Sequence, residues 1–102
     1  MRRYGKTDAN HSVIVAAFRK LGCSVLSLAP LGNGAPDLAV GYGGLTCLVE
    51  VKDGAKPPSA QALTPDQKQF MDTWTGGVRL VNSLEAVVET VELLRRWREK
   101  IA

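Results

Sequence analysis

Apolar residues between positions 11 and 21 recur in steps of three and four. Ile14, Ala17, Phe18 and Leu21 share one face of a helix that Asp8 or Asn10 can cap and Gly22 can end. The period then changes. Residues 24–28 read Ser-Val-Leu-Ser-Leu, a short strand, and 30–35 form a loop with Pro30, Gly32 and Gly34. Two apolar runs, 37–42 and 45–52, flank Gly43-Gly44, a pair suited to the positive φ angles of a two-residue hairpin turn. Residues 54–63 are rich in Pro, Ala, Ser and Gln without periodic signal, which predicts an exposed loop that can act as a lid.

Thr64 can cap a further helix, with Pro65 at its first position, Asp66 in its first turn, Phe70 and Trp74 four apart, and Gly76-Gly77 at its end. A strand over 78–81 follows. Ser83 then caps a last helix whose apolar stripe is Leu84, Val87, Val88, Val91, Leu94 and Ile101, with Glu85, Glu89, Arg95 and Arg98 facing water. The expected order is α-β-β-β-α-β-α, without internal repeats. Trp74 and Trp97 are expected as core or dimer contacts rather than platforms for base stacking.

A chain of 102 residues, 45% hydrophobic and 23% charged, fits one domain spanning 1–102. Its core is modest, since a domain of this size buries only about two-thirds of the surface its unfolded chain exposes, and a second copy would add to it. Net charge is +3 and pI about 9.1, a balance suited to an anionic partner. Basic residues gather at Arg2, Arg3 and Lys6, at Lys52, Lys56 and Lys68, and at Arg95, Arg96, Arg98 and Lys100. Cys23 and Cys47 lie in apolar stretches without the close spacing of a metal or redox motif, so both are expected as buried free thiols. No apolar run reaches the roughly 20 residues that span a membrane, and the start lacks a signal-peptide core. The expected setting is soluble and cytoplasmic.

Counting outward in step from Gly43-Gly44 places Asp37 opposite Glu50. Directly opposed side chains have Cβ atoms about 4.5 to 5.5 Å apart, and two carboxylates there repel unless a cation lies between them. Glu50 and Lys52 are two apart on one strand and share a face, while Val49 and Val51 point to the apolar face. Two carboxylates, a backbone carbonyl and waters make a set of hard oxygen ligands for Mg²⁺. Lys52 beside them can orient or deprotonate an attacking water, or offset charge in a phosphoryl transition state. Each half of this pattern is common alone: Pro-Asp is a turn dipeptide, and Glu-x-Lys on a strand is often a surface ion pair.

Gly34-Ala35-Pro36-Asp37 and Leu48-Val49-Glu50-Val51-Lys52 together resemble the signature of the PD-(D/E)xK nuclease superfamily, and the element order resembles its αβββαβ core. Within it the chain looks most like the compact VRR-NUC branch, whose stand-alone members are common in phages and prophages. There the signature is followed by a loop and a Ser/Thr-x-x-Gln helix start, here Thr64-Pro65-Asp66-Gln67. The resemblance implies a restriction-endonuclease-like α/β fold, a mixed sheet flanked by helices with a further C-terminal helix. It implies an Mg²⁺-dependent DNA endonuclease, with Mn²⁺ as a substitute, structure-selective for branched or Holliday-junction-type DNA and acting as a homodimer, in the host cytoplasm if phage-encoded. Asp37, Glu50, Lys52 and Gln67 take the catalytic positions. Asp37, Glu50 and the backbone carbonyl of Val51 take the metal positions.

The first helix of such nucleases carries a Glu that helps to bind metal. Asp8-Ala9-Asn10-His11 resembles the family's opening, but Val13 stands at the acid's place, leaving Asp8 or Asn10 to contribute through water. His11, the single histidine, is expected to be a surface residue of the capping turn. The loss at Val13 also motivates a rival reading, a catalytically degenerate nuclease fold that binds DNA or docks to a partner. A small structural protein with a half-exposed hairpin is a third, and it predicts no DNA binding even at low salt.

Overall fold

The computed structural model describes residues 10–101. Helix α1 spans His11–Lys20 and buries Ile14 and Phe18, as the three-four spacing requires. Strands β1 (Ser24–Ser27), β2 (Leu38–Tyr42) and β3 (Leu45–Val51) follow, with a 3-10 turn at Ala29–Leu31 between the first two. A short helix α2 (Pro58–Gln61) precedes α3 (Pro65–Thr73), β4 (Gly77–Val81) and the long C-terminal helix α4 (Leu84–Ile101). Among the described residues the result is an α/β fold in which one mixed four-stranded sheet carries four α-helices.

Strand order is β1-β2-β3-β4, antiparallel for the first two pairings and parallel for the last. Gly43 and Gly44 turn the β2–β3 hairpin with φ of 56° and 89°, and the register runs from Tyr42↔Leu45 to Leu38↔Val49. Continuing it by one residue sets Asp37 against Glu50, the pairing that the hairpin count gives. The parallel return from β3 to β4 uses α2 and α3 as its crossover, since parallel neighbours cannot be joined by a tight turn.

Alternation along the strands separates two faces. Leu38, Val40, Cys47, Val49, Val51 and Val81 are buried and, Cys47 aside, form with Ile14, Phe18, Val87 and Val91 a core under α1 and α4. The opposite face carries Leu26, Ala39, Leu48, Glu50 and Leu80, and Gln67 of α3 reaches Glu50 there.

Several expectations are corrected. The loop over 54–63 contains α2, and Gln61 ties it down: its Nε2 donates to the carbonyl of Lys56 (2.7 Å), and its Oε1 accepts from Asn82 Nδ2 (3.0 Å). Helix α4 packs through Val87, Thr90, Val91 and Leu94, whereas Leu84, Val88 and Ile101 are exposed. At about 100° per residue, Leu84 and Val88 fall on the flank of the buried arc, and Ile101 lies at the helix's last residue. Trp74 and Trp97 are not core residues, being 46% and 36% exposed, although Trp97 covers Gly77 and Trp74 stacks on Phe70 at 5.1 Å. Cys23 and Cys47 are buried free thiols, as expected. No helix among the described residues is long and apolar enough to cross a membrane.

Candidate active site

The sheet brings Asp37, Glu50 and Lys52 to one end. Asp37 precedes β2 by one residue and Lys52 follows β3 by one, so both occupy strand ends rather than strand interiors. Backbone bonds still hold them in line: Leu28 N–H donates to the carbonyl of Asp37 (2.7 Å), and Lys52 N–H donates to that of Val81 (3.0 Å). The Asp37 carboxylate is itself built into the sheet. Its Oδ2 accepts the N–H of Val51 at 2.9 Å, replacing the ladder partner that β2 no longer supplies. Because N–H and C=O of one strand residue point to the same side, the Val51 carbonyl shares the side of Asp37.

Glu50 is 3% exposed, an environment that penalises an unpaired charge heavily. Gln67 and Lys52 are among the groups that compensate. Gln67 Nε2 donates to Glu50 Oε2 at 3.1 Å, and Lys52 Nζ stands 3.8 Å from the same oxygen. Lys52 is itself largely covered, with 12% of its side chain exposed, so the pair differs from a solvent-screened surface bridge. Its ammonium also donates to Gln67 Oε1 at 3.1 Å.

Gln67 occupies this position because of how α3 begins. Thr64 is the N-cap: its hydroxyl accepts Gln67 N–H (3.2 Å), while Gln67 Oε1 accepts Thr64 N–H (2.9 Å), a reciprocal capping box. The side chain that closes the box is also the one that holds Glu50 and Lys52. Thr64-x-x-Gln67 marks both roles, so the candidate fourth residue joins the cluster. Gly34 lets the preceding loop approach: a Cβ there would lie 2.5 Å from the Asp66 carbonyl oxygen.

Asn10 joins the site from α1. Its side chain makes no cap bond; instead Nδ2 donates to the carbonyl of Lys52 at 2.9 Å, and Oδ1 is buried without a hydrogen-bond partner. Sequence reasoning left Asn10 as one of two alternatives and missed this tether across 42 residues, for which no local signal exists. Asp8 lies outside the described residues. Val13 is 50% exposed, and the first turn of α1 carries no acid. His11 is half-buried rather than a surface residue, and its Nε2 is enclosed without a partner, because α1 begins at this residue.

Among the described residues no three His, Cys, Asp or Glu side chains group together. The oxygens that can hold a cation are the carboxylates of Asp37 and Glu50, the Val51 carbonyl and the amide oxygen of Asn10. That set is all hard oxygen, and its orphaned amide acceptor is a group that a cation or its water shell would satisfy; it suits Mg²⁺. The remaining polar chemistry lies elsewhere. Arg95 bonds to Tyr42 and Glu92, which favour its charged form, and Lys68 pairs with Asp72 at 3.2 Å. Burial pushes the Cys47 thiol up to about 11, with Arg79 pulling it back slightly, so this cysteine is not a nucleophile at neutral pH.

No family model, no curated protein and no solved structure matches the chain.

Proposed function

We propose that this chain is a metal-dependent nuclease of the restriction-endonuclease-like type, hydrolysing phosphodiester bonds in DNA with Mg²⁺ or Mn²⁺ as cofactor. The observation that supports it best is the meeting of Asp37, Glu50 and Lys52 at one sheet end, with Gln67 bonded to both Glu50 and Lys52. A structural ion pair would need neither the second carboxylate nor the buried site; Asp37 set against Glu50 adds like-charge repulsion that a bound cation would offset further.

In this reading Asp37, Glu50 and the Val51 carbonyl hold the cation, which when bound polarises a phosphoryl oxygen and lowers the pKa of water. Asp37 stays fixed by the Val51 N–H, so the carboxylate meets substrate already oriented. Lys52 directs its ammonium at the attacking water or the non-bridging oxygens, where positive charge stabilises the developing negative charge. Gln67 holds the ammonium in place by accepting a hydrogen bond from it. A positive net charge of +3 favours approach to the phosphate backbone. Junction or branch selectivity and a homodimer, with one site for each of two strands, belong to the same proposal.

The deciding experiment is cleavage of labelled linear, single-stranded, flap and four-way-junction DNA in Mg²⁺ or Mn²⁺ by the wild type, Asp37→Ala and Lys52→Ala. Cutting by the wild type that both variants lose supports the nuclease, and the preferred substrate assigns its selectivity. One observation favours a second reading: α1 offers no acid in its first turn, and Val13 faces outward. A non-cleaving DNA-binding or docking module would bind these DNAs and cut none, with Asp37→Ala leaving affinity unchanged.

A further inference from the structure

Gln67 and two aromatic rings share one side of α3. Gln67, Phe70 and the C-cap residue Trp74 stand at i, i+3 and i+7, a spacing that lines their side chains up along the helix. The N–H of Trp74 donates to the Phe70 carbonyl at 2.9 Å, which ties it to the last turn. Its ring centroid lies 5.1 Å from that of Phe70, with the two planes 15° from parallel. The indole is therefore held and backed on one face. Gly76 lies against its Nε1 edge, where a Cβ would come within 2.9 Å. Trp74 is nevertheless 46% exposed, so the open surface belongs mainly to the second face. An aromatic face left in water forgoes the burial that makes Trp valuable in a core. A flat, held ring with a second ring behind it is a surface on which a nucleobase continues the stack.

The place of this ring selects its occupant. At its first turn α3 presents Gln67 to Glu50 and Lys52. Seven residues at about 1.5 Å each carry Trp74 about 10 Å along the helix from Gln67, the length of about three base steps at about 3.4 Å per step. A strand that runs from Asp37, Glu50 and Lys52 along α3 has a base within reach of the indole a few nucleotides from the scissile bond. Inside a duplex both faces of each base are already stacked, and freeing one costs unstacking and unpairing; an unpaired base has a face to give. We propose that Trp74, backed by Phe70, stacks an unpaired base of the strand held in the site, and that this contact makes DNA with a single-stranded arm the preferred substrate. The inference rests on the nuclease reading of Asp37, Glu50 and Lys52 and adds to it a specificity-determining residue.

The test measures binding of labelled flap, single-stranded and linear duplex DNA in EDTA, without the metal that cutting needs, by the wild type, Trp74→Phe and Trp74→Leu, and follows indole emission alongside. The flap is then remade with one abasic position walked along its arm. Leu covers Phe70 but offers no ring, so it separates stacking from packing. Trp74→Leu is expected to bind flap and single strand about tenfold more weakly, with duplex affinity unchanged and Trp74→Phe near the wild type. Flap DNA should quench wild-type emission, and the quenching should be absent from Trp74→Phe. One abasic position should weaken the wild type as much as Trp74→Leu does, and weaken that variant no further. Flap affinity at the wild-type level in Trp74→Leu, or equal losses on flap and duplex, overturns the proposal. So does a wild-type dimer that becomes a monomer in Trp74→Leu with no abasic position mattering, which makes the indole a contact between copies. If Trp74→Leu fails to fold, the abasic walk on the wild type decides: no sensitive position removes the base contact. Cleavage in Mg²⁺ by the wild type and Asp37→Ala tests the underlying reading separately. Stacking without any cleavage overturns the nuclease and leaves the base contact, whereas cleavage without stacking leaves the nuclease and removes Trp74.

Discussion

Lys52 Nζ and Gln67 Oε1 lie 3.1 Å apart, and the same oxygen accepts the N–H of Thr64 that caps α3. The cap of a helix and the placement of a candidate catalytic ammonium thus depend on one amide. Gln67→Ala should remove both. Loss of its half of the capping box costs about 0.5–2 kcal/mol, and cleavage should fall by one to two orders of magnitude as Lys52 and Glu50 lose their common partner. Gln67→Glu separates the roles: a carboxylate can still accept from Thr64 and Lys52 but cannot donate to Glu50. Urea unfolding and DNA cleavage on both variants check this; a Gln67→Glu protein that cuts like the wild type would remove Gln67 from the site.

Asp37 has a structural duty as well as a chemical one, because its Oδ2 completes the bonding of the Val51 N–H. Asp37→Asn retains an oxygen there and removes a charge facing Glu50, so in EDTA it should be at least as stable as the wild type. Asp37→Ala leaves the Val51 N–H without that acceptor and should cost about 1–3 kcal/mol. Both should abolish cleavage. Equal denaturation midpoints for Asn and Ala would show that the hydrogen bond contributes nothing.

Most of this arrangement could be read from residue order. The Gly43-Gly44 turn sets the hairpin register, and the register alone pairs Asp37 with Glu50, since strand alternation has a fixed period of two. Gln67 was accessible through Thr64-x-x-Gln67, a local pattern with a local mechanism. Asn10 bonding to Lys52 was not, because a contact between elements 42 residues apart leaves no periodic trace. The exposed flank of α4 was misread for a related reason: Leu84 and Val88 are apolar and near the stripe, but burial depends on where the sheet ends. The short helix α2 was hidden by its prolines and lack of period, and the bonds of Gln61 to Lys56 and Asn82 join it to its surroundings.

Gly34 has φ of +81°, and a Cβ would sit 2.5 Å from the Asp66 carbonyl oxygen, one residue before Gln67. Gly34→Ala therefore meets both a disfavoured backbone conformation and a backbone obstacle. Relief requires the start of α3 to move away from the loop, taking Gln67 with it. The expected loss is about 1–3 kcal/mol of stability, together with weaker cleavage although every candidate catalytic side chain is intact. Gly32, with open space around its Cβ position, is the control: Gly32→Ala carries the positive-φ strain alone and should leave cleavage at the wild-type level.

Cys47 lies fully buried on the core face of β3, where desolvation raises its pKa from 9.0 to about 11. The folded protein thus keeps its proton at pH values where the unfolded chain has lost it. Stability from this source is complete below about pH 9 and falls as pH rises from 9 towards 11, because the native state binds more protons over that interval. Replacing Cys47 by Ala removes the titration at the cost of a small cavity. Urea midpoints at pH 8 and pH 10.5 should therefore fall more steeply for the wild type than for Cys47→Ala, the shared titration of other groups cancelling in the comparison. A thiol reagent at pH 8 should modify Cys47 only as the protein unfolds, at a rate that rises with urea. Parallel pH slopes, or rapid modification of the folded protein, would mean that the thiol reaches solvent and that the core under α4 opens there.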